Sequence, residues 1–236
     1  MPTPVPTPSV VLRCISSMAT RLLLGELAAD FTARTGQAVV IESVGGVDAA
    51  KRVQAGEVFD AVFLASDAID KLLAAGHLLP GSRVDLVHSG VAVAVQAGAV
   101  APNISSEDAV RAAILAAPTL SYSTGPSGVA LAQLFERWGI ADDIQSRIVQ
   151  APPGVPVGAL VARGEVALGF QQLSELIHVE GITIVGPLPA AIQITTTFSA
   201  GVGSLSTQPE AVRALLAFMA APQAAAAKQR QGMVPA

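Results

Sequence analysis

Residues 10–36, VVLRCISSMATRLLLGELAADFTARTG, decide how the chain begins to fold. The apolar run over residues 10–15 predicts a buried strand, and Ser16 and Ser17 end it. After this turn, Leu23, Leu27 and Phe31 recur at helical spacing until Gly36. The stretch therefore predicts a strand, a turn and a helix over residues 19–35.

The same unit follows twice more. AVVIES, residues 38–43, precedes Gly45 and Gly46 and a helix predicted from about residue 48 to residue 55. DAVFLA, residues 60–65, precedes Ser66 and a helix that ends near Ala75. Three successive strand-to-helix units indicate a parallel sheet covered by helices.

Further units lie between two long predicted strands, residues 84–96 and 191–203, and a final pair of helices follows the second of these strands. We predict helices at 102–116, 129–138, 157–163, 173–177, 209–219 and 222–231, and strands at 120–123, 147–150, 166–170 and 181–188. The long strands would cross between two lobes and form a hinge. The expected fold is α/β and two-lobed, with residues 10–88 and 197–236 in the first lobe, 89–196 in the second, and 1–9 as a disordered tail.

Composition excludes several classes of function. Of the 236 residues, 51% are hydrophobic and 14% charged, which is typical of a packed globular protein. The net charge of −4 gives no basic surface for nucleic acid. The longest apolar run is broken by Gln96, so no membrane insertion is expected.

The sequence predicts no metal site and no cofactor. Cys14 is the only cysteine and is expected to be a buried apolar residue. The three histidines are not at metal-ligand spacing. The opening MPTPVPTPSV does not resemble a signal peptide, which predicts a cytoplasmic location for the chain as it stands, or a periplasmic one if a leader was removed.

A glycine-rich turn, STGPSGVAL at residues 123–131, lies between a predicted strand and a helix. Small residues at a helix start let an anion approach unpaired N–H groups, and the simpler alternative is that Ser127 caps the helix. The turns at Ser16 and Ser17, Gly45 and Gly46, Ser66 and Asp67, and residues 123–128 all follow strands. In open α/β sheets these ends meet at a cleft, which predicts a site for a small anion.

With these residues, the chain resembles the molybdate-binding protein family, which has the type II periplasmic-binding-protein fold. The resemblance is carried by SSMATRLLLGELAADFTARTG, GGVDAAKRVQAGEVFDAVFLASD, LVHSGVAVAV, GALVARGEVALGF and PEAVRALLAFMAAPQAAAAKQRQGM. It implies a ligand between the lobes, and an ABC permease as partner if the protein is exported.

The resemblance also implies which positions contact the ligand, because family members hold molybdate with two serine hydroxyls, backbone N–H groups and a tyrosine hydroxyl. The first serine falls on Ser17, and a backbone donor falls on Ser127. The other positions have changed: the second serine falls on Gly46, a second backbone donor on Pro156, and the tyrosine on Gln172. Proline has no N–H to donate, so molybdate is disfavoured.

A small organic di- or tricarboxylate suits the remaining residues better. Gln171 and Gln172 offer amides, Gly45 and Gly46 leave room, and Arg21 or Arg52 would pair with a carboxylate, unless both arginines are simply solvated. The predicted ligand contacts are Ser16, Ser17, Met18, Arg21, Gly45, Gly46, Val47, Ser66, Thr124, Gly125, Ser127, Pro156, Gln171 and Gln172.

The alternative function is isomerisation, because the resemblance extends to aconitate isomerase, which interconverts trans- and cis-aconitate by an allylic proton shift. That reaction needs a base and donors that stabilise enolate-like charge. The candidate bases are His88, Asp48 and Asp67. The two aspartates are alternatively first-turn helix residues, and His88 a residue of the hinge core.

Overall fold

The computed structural model describes residues 11–151 and 155–236; the predicted tail lies outside these ranges. The strands are β1 (Leu12–Ser17), β2 (Val39–Val44), β3 (Ala61–Ala65), β4 (Val84–Gln96), β5 (Leu120–Tyr122), β6 (Leu168–Gln172), β7 (Ile182–Pro187), β8 (Thr195–Val202) and β9 (Val234–Pro235). The helices are α1 (Arg21–Thr35), α2 (Gly46–Gln54), α3 (Ser66–Ala74), α4 (Glu107–Ala116), α5 (Pro126–Arg137), α6 (Ala141–Ile144), α7 (Val157–Ala162), α8 (Leu173–Leu176), α9 (Pro209–Ala220) and α10 (Ala225–Arg230). Short 3-10 turns are Met18–Thr20, Gln145–Arg147, Ala190–Ile192 and Pro222–Ala224.

The sheet order is β2-β1-β3-β8-β4-β6-β5, and β7 and β9 also pair with β4. The parallel strands β1, β2 and β3 belong to the strand-to-helix units that the sequence predicts. They end on the same side of the sheet, so the starts of α1, α2 and α3 lie along one edge. This confirms the predicted α/β fold.

Strand β4 belongs to both halves of the molecule. Up to Gly90 it pairs with β8, and from Val91 onward it pairs with β6 and β7. The opposite edge near His88 pairs with β9, so the C-terminus returns to the middle of the chain. The change of partners places the hinge at Gly90 and Val91; the predicted lobe boundaries at 88/89 and 196/197 stay predictions.

Each half has its own hydrophobic core. In the first half, α1, α9 and α10 cover one face of the sheet with residues such as Leu24 and Leu216, and α2 and α3 cover the other around Ile15 and Ile69. In the second half, α4 and α5 pack against Phe170. Cys14 is 2% exposed in the first core, and burial raises the pKa of its thiol to about 12.

Several element predictions are wrong in detail. The predicted helix 102–116 begins only at Glu107, and the predicted strand 166–170 lies at Leu168–Gln172. Residues 147–150 form no strand; Ile148 makes only an isolated bridge to Leu120. Helix α2 begins at Gly46 rather than residue 48, and α5 begins at Pro126 rather than residue 129. The predicted strand 191–203 begins only at Thr195, after a short 3-10 turn.

None of the helices in the described ranges is long and apolar enough to cross a bilayer.

Candidate functional site

The end of β1 presents one serine to each face of the sheet, because successive strand residues alternate. Ser16 Oγ lies 2.7 Å from Ser43 Oγ on β2, so its hydroxyl has a partner. Ser17 is 6% exposed, and its Oγ is buried without a hydrogen bond. An unpaired buried hydroxyl costs about 1–3 kcal/mol, so Ser17 is a group that a ligand would satisfy.

Helix α2 begins directly beside Ser17. A Cβ placed on Gly46 would lie 3.5 Å from Ser17 Cβ, so the two residues are brought together as predicted from their positions after neighbouring strands. Gly45 is the N-cap of α2, and Val47 and Asp48 are exposed in its first turn. Met18 is half-buried in the 3-10 turn that follows Ser17.

Helix α3 begins at half-buried Ser66. The next residue, Asp67, is exposed and lies 3.7 Å from Lys71, one helical turn away. Such exposed pairs contribute little to stability. Asp48 and Asp67 thus both lie in first turns of helices, the position that the non-catalytic interpretation gives them.

In the second half, the turn before α5 is shaped by a close backbone approach. Gly125 is the N-cap and Pro126 the first residue of α5, so the interpretation of Ser127 as N-cap is wrong. A Cβ on Gly128 would lie 1.5 Å from the carbonyl oxygen of Ser123, so only glycine fits there. Ser123 Oγ and Ser127 Oγ are 3.0 Å apart, and Thr124 is exposed.

The backbone N–H of Ser127 precedes the first hydrogen bonds of α5, which Gly128 and Val129 donate to the Gly125 carbonyl. It is therefore placed as an anion donor would be. Pro156 is the N-cap of α7 and has no N–H, which agrees with the loss of a donor inferred from the sequence.

The two adjacent glutamines have different surroundings. Gln171 Oε1 accepts from the Gly158 N–H at 3.0 Å, and its Nε2 donates to Glu175 Oε1 at 3.0 Å. Both ends of this amide are used to hold α7 and α8 at the end of β6. The prediction that Gln171 contacts a ligand stays a prediction, and the structure gives this amide two partners within the protein.

Gln172 lies on the opposite face of β6 and is 3% exposed. Its Nε2 donates to Thr196 Oγ1 at 2.9 Å, while its Oε1 is buried and unpaired. Thr196 is in register with Ser89 on β4, whose buried Oγ also has no partner. The hinge therefore contains two buried polar atoms without a hydrogen-bond partner, Gln172 Oε1 and Ser89 Oγ.

The two predicted arginines differ in what they contact. Arg52 binds the carboxylates of Glu42 and Glu57, each through two hydrogen bonds of 2.6–3.0 Å, and lies over the Phe59 ring. These glutamates already neutralise Arg52, which disfavours the alternative that it pairs with a ligand carboxylate. Arg21 is exposed at the start of α1, in a surface depression with Ser43.

His88 lies at the hinge, half-buried, with Nδ1 3.0 Å from Thr197 Oγ1. Because Thr197 and Thr196 alternate along β8, His88 lies on the other face of the sheet from the bond between Gln172 and Thr196. It shares its face with Asp85, whose pKa is lowered first by Arg83 and further by Ser199.

The sequence analysis did not identify three polar residues, Glu175, Ser174 and Lys228, as candidates for the site. Burial raises the pKa of Glu175 to about 7, against a smaller opposite effect of its hydrogen bond from Gln171. Ser174, also in α8, is 6% exposed with an unpaired Oγ, and Lys228 in α10 is 2% exposed. The turn from β6 into α8 has the same strand-to-helix signal as the predicted site, whereas nothing in the AAAAKQRQ sequence indicates that Lys228 is buried.

Two contacts between elements connect the two halves near the candidate site. The 3-10 turn after Ser17 packs against α8, and α5 packs against β8. Within the described ranges, no group of three His, Cys, Asp or Glu side chains is arranged to hold a metal ion.

Two α/β halves joined by β4 and β8, with unpaired polar groups at the strand ends between them, define a two-lobed solute-binding protein. The chain belongs to the family of bacterial extracellular solute-binding proteins, which matches residues 12–234. Aconitate isomerase from a Pseudomonas species is 43% identical over 185 residues, which are 78% of this chain and 70% of that protein.

Solved structures share the fold. The periplasmic molybdate-binding protein of Azotobacter vinelandii superposes with a TM-score of 0.79 at 24% identity, covering 94% of this chain and 98% of that one. The sulfate-binding protein SubI of Mycobacterium tuberculosis H37Rv has a TM-score of 0.78 at 16% identity, covering 96% and 87%. The resemblance to the molybdate-binding fold is thus confirmed.

Proposed function

We propose that the protein is an isomerase of unsaturated tricarboxylates, and that it interconverts trans- and cis-aconitate. The observation that carries this proposal is the 43% identity to an aconitate isomerase over most of both chains. The changes at Gly46, Pro156 and Gln172 support it, because they remove the donors expected for molybdate and leave a polar amide in the place of the tyrosine.

The reaction balances without an oxidant or a reductant. A base removes a proton from the methylene carbon of trans-aconitate, and the electron pair forms a new double bond to the central carbon. The former double-bond electrons take up a proton at the other end of the allylic system. Rotation of the substrate between the two steps decides whether the cis or the trans isomer forms.

This chemistry needs hydrogen-bond donors near the carboxylates, where negative charge builds up when the proton leaves. The unpaired hydroxyl of Ser17 and the backbone N–H of Ser127 are suited to donate. The amide Nε2 of Gln172 would add a third donor if it exchanged its bond to Thr196 for the ligand.

We assign the base to Glu175. A base transfers protons most efficiently when its pKa is close to the working pH, and burial places this carboxyl at about 7. The carboxyl accepts a hydrogen bond from Gln171 Nε2 at 3.0 Å in α8, which begins directly after the last residue of β6. His88, held by Thr197, is the competing assignment, while the exposed first-turn residues Asp48 and Asp67 have no such environment.

Turnover tests the proposal directly. Purified protein is incubated with trans-aconitate, and separately with cis-aconitate, and both isomers are followed by chromatography. We expect both reactions to reach the same ratio of isomers, with deuterium entering the methylene position in D₂O. Glu175→Gln should lower kcat at least about 100-fold, and His88→Gln much less. Absence of conversion at high protein concentration would reject the isomerase.

A second candidate is reversible capture of an organic carboxylate without turnover, with an ABC permease as partner if the protein is exported. It is supported by membership of the solute-binding family and by anion-binding proteins of the same fold. Calorimetry with a panel of di- and tricarboxylates, and with molybdate, tungstate and sulfate for comparison, separates it from the isomerase. Tight binding of a carboxylate together with no turnover would support this second function.

A further inference from the structure

Lys228 is buried without a partner. The residue is 2% exposed, and its side chain makes no hydrogen bond or ion pair with any residue in the described part of the chain. Burial lowers the pKa of its ammonium group. Lysine is almost never fully buried unless it is paired, because desolvating a charge is costly. An unpaired buried lysine therefore needs a physical reason.

The C-terminal segment places Lys228 next to the hinge. Helix α10 packs on α1 and on β9, and Ala224 and Ala227 belong to the first core together with Val87 of β4. Immediately after α10, a Cβ on Gly232 would lie 2.9 Å from Leu173 Cγ at the start of α8. The segment that carries Lys228 thus joins the hinge strand to the element that follows Gln172.

Other unpaired polar atoms lie on the elements that this segment contacts. They are Ser89 Oγ on β4 and Ser174 Oγ on α8. By strand alternation, Ser89 lies on the same face as Val87, which is the face that α10 covers. Buried polar atoms are nearly always paired in folded proteins, and each exception calls for an explanation.

A bound carboxylate would explain the lysine and the hydroxyls together. An ammonium group and serine hydroxyls are donors to a carboxylate, and a charged acceptor makes such bonds stronger than neutral ones. Three arginines already have carboxylate partners: Arg52 binds Glu42 and Glu57, Arg83 binds Asp70 and Asp85, and Arg230 binds Glu26. Arg21 differs from Lys228 in being exposed at the start of α1.

We infer that the ammonium group of Lys228 is the cation that binds one carboxylate of the substrate, with Ser89 or Ser174 donating to the same group. This inference rests on the proposed function, because it assigns a residue to the tricarboxylate of that reaction. It makes Lys228 a binding and specificity-determining residue, which distinguishes carboxylate ligands from neutral ones.

The first test replaces the charge but keeps the bulk of the side chain. Lys228→Met is compared with Lys71→Met, which removes an exposed lysine of α3. We expect Lys228→Met to lower the affinity for trans-aconitate at least tenfold while Tm rises by about 2–4 °C, because an unpaired buried charge is gone. Lys71→Met should change neither by that much. A Lys228→Met protein that folds and binds with unchanged affinity would overturn the inference.

The second test needs no variant at the site. The chain has three lysines, Lys51, Lys71 and Lys228, so their ¹³Cε signals are resolved by NMR in the folded wild type, and Lys51→Arg and Lys71→Arg assign them. We expect trans-aconitate to shift the Lys228 signal and tricarballylate, a saturated tricarboxylate, to do the same. Shifts confined to Lys51 and Lys71, or no shifts at all on saturation, would overturn the inference.

The two proposals fail in different ways. Binding of trans-aconitate with a shifted Lys228 signal but without turnover rejects the isomerase and supports the role of Lys228. Turnover together with an unmoved Lys228 signal supports the isomerase and rejects the role of Lys228. A wild-type protein that binds no tricarboxylate rejects both.

Discussion

Gln172 Nε2 donates to Thr196 Oγ1 at 2.9 Å, and this bond links the last residue of β6 to β8 across the hinge strand β4. The same side chain leaves its Oε1 buried and unpaired. The amide nitrogen of Gln172 is therefore hydrogen-bonded and its oxygen is not, at the place where the two halves meet.

Replacing this amide should separate binding from stability. We expect Gln172→Leu to weaken trans-aconitate binding about tenfold or more, because it removes from the protein an amide that would hydrogen-bond the ligand. The free energy of unfolding should change by no more than about 1 kcal/mol, since one hydrogen bond is lost together with one unpaired acceptor. Calorimetry and urea unfolding measure the two effects. Gln133→Leu, on the exposed side of α5, is the control, and equal affinity in both variants would contradict the prediction.

The adjacent serines of β1 should respond in opposite ways. Ser17→Ala removes an unpaired buried hydroxyl, so we expect unchanged or higher stability and an affinity at least tenfold lower. Ser16→Ala breaks the bond to Ser43 and should lower the free energy of unfolding by about 1 kcal/mol. Thermal unfolding and calorimetry of both variants check this. Destabilisation by Ser17→Ala to the same extent as by Ser16→Ala would mean that the Ser17 hydroxyl has a structural partner.

The glycine of the α5 turn is required by its surroundings. Gly128→Ala would place a methyl group 1.5 Å from the Ser123 carbonyl oxygen, so the turn must move. We expect a loss of about 2–4 kcal/mol and weaker ligand binding through the displaced Ser127. Gly25→Ala, where no atom lies within 4 Å, is the matched helical control and should stabilise α1 by about 1 kcal/mol. Equal effects of the two substitutions would contradict this account of the turn.

The sequence predicts the fold well because its signals are local. The periods of apolar residues and the small residues after each strand are visible within about ten positions, and they place Ser17, Gly46 and Ser127 at helix starts. The same signals led to the expectation that the small residues of the turn at 123–128 let an anion approach. At Gly128 the structure gives a different reason for a small residue, because the Ser123 carbonyl excludes any side chain there.

The parts that the sequence does not predict depend on contacts between distant segments. Arg52 and Glu42 are ten residues apart on different elements, so their pairing becomes visible only in the folded chain. Strand alternation separates Gln171 from Gln172, but the partners of each amide come from α7, α8 and β8. The burial of Lys228 likewise depends on how α10 packs against α1 and β9.

Glu175 should make the stability of the protein depend on pH. Burial raises its pKa from the ordinary 4.5 to about 7 in the folded state. Below pH 4.5 the carboxyl is protonated in both states, so its contribution to stability is fully present. Between pH 4.5 and 7 the unfolded chain loses this proton while the folded chain keeps it, and stability falls as the pH rises. The shift corresponds to at most about 3 kcal/mol, and the loss is complete above the folded pKa.

The comparison with Glu175→Gln isolates this carboxyl from the other titrating groups. Among the elements packed against α8, β4 carries Asp85, bound to Arg83 and Ser199, and His88, bound to Thr197, and both are retained in the variant. Urea unfolding of both proteins at intervals from pH 4.5 to pH 8 gives the difference in free energy of unfolding. We expect the wild type to lose stability relative to the variant across this range, because glutamine stays neutral and keeps an oxygen that accepts from Gln171. Parallel pH profiles would show that Glu175 ionises in the folded protein at its ordinary pKa, and the assignment of this residue as the base would lose its physical support.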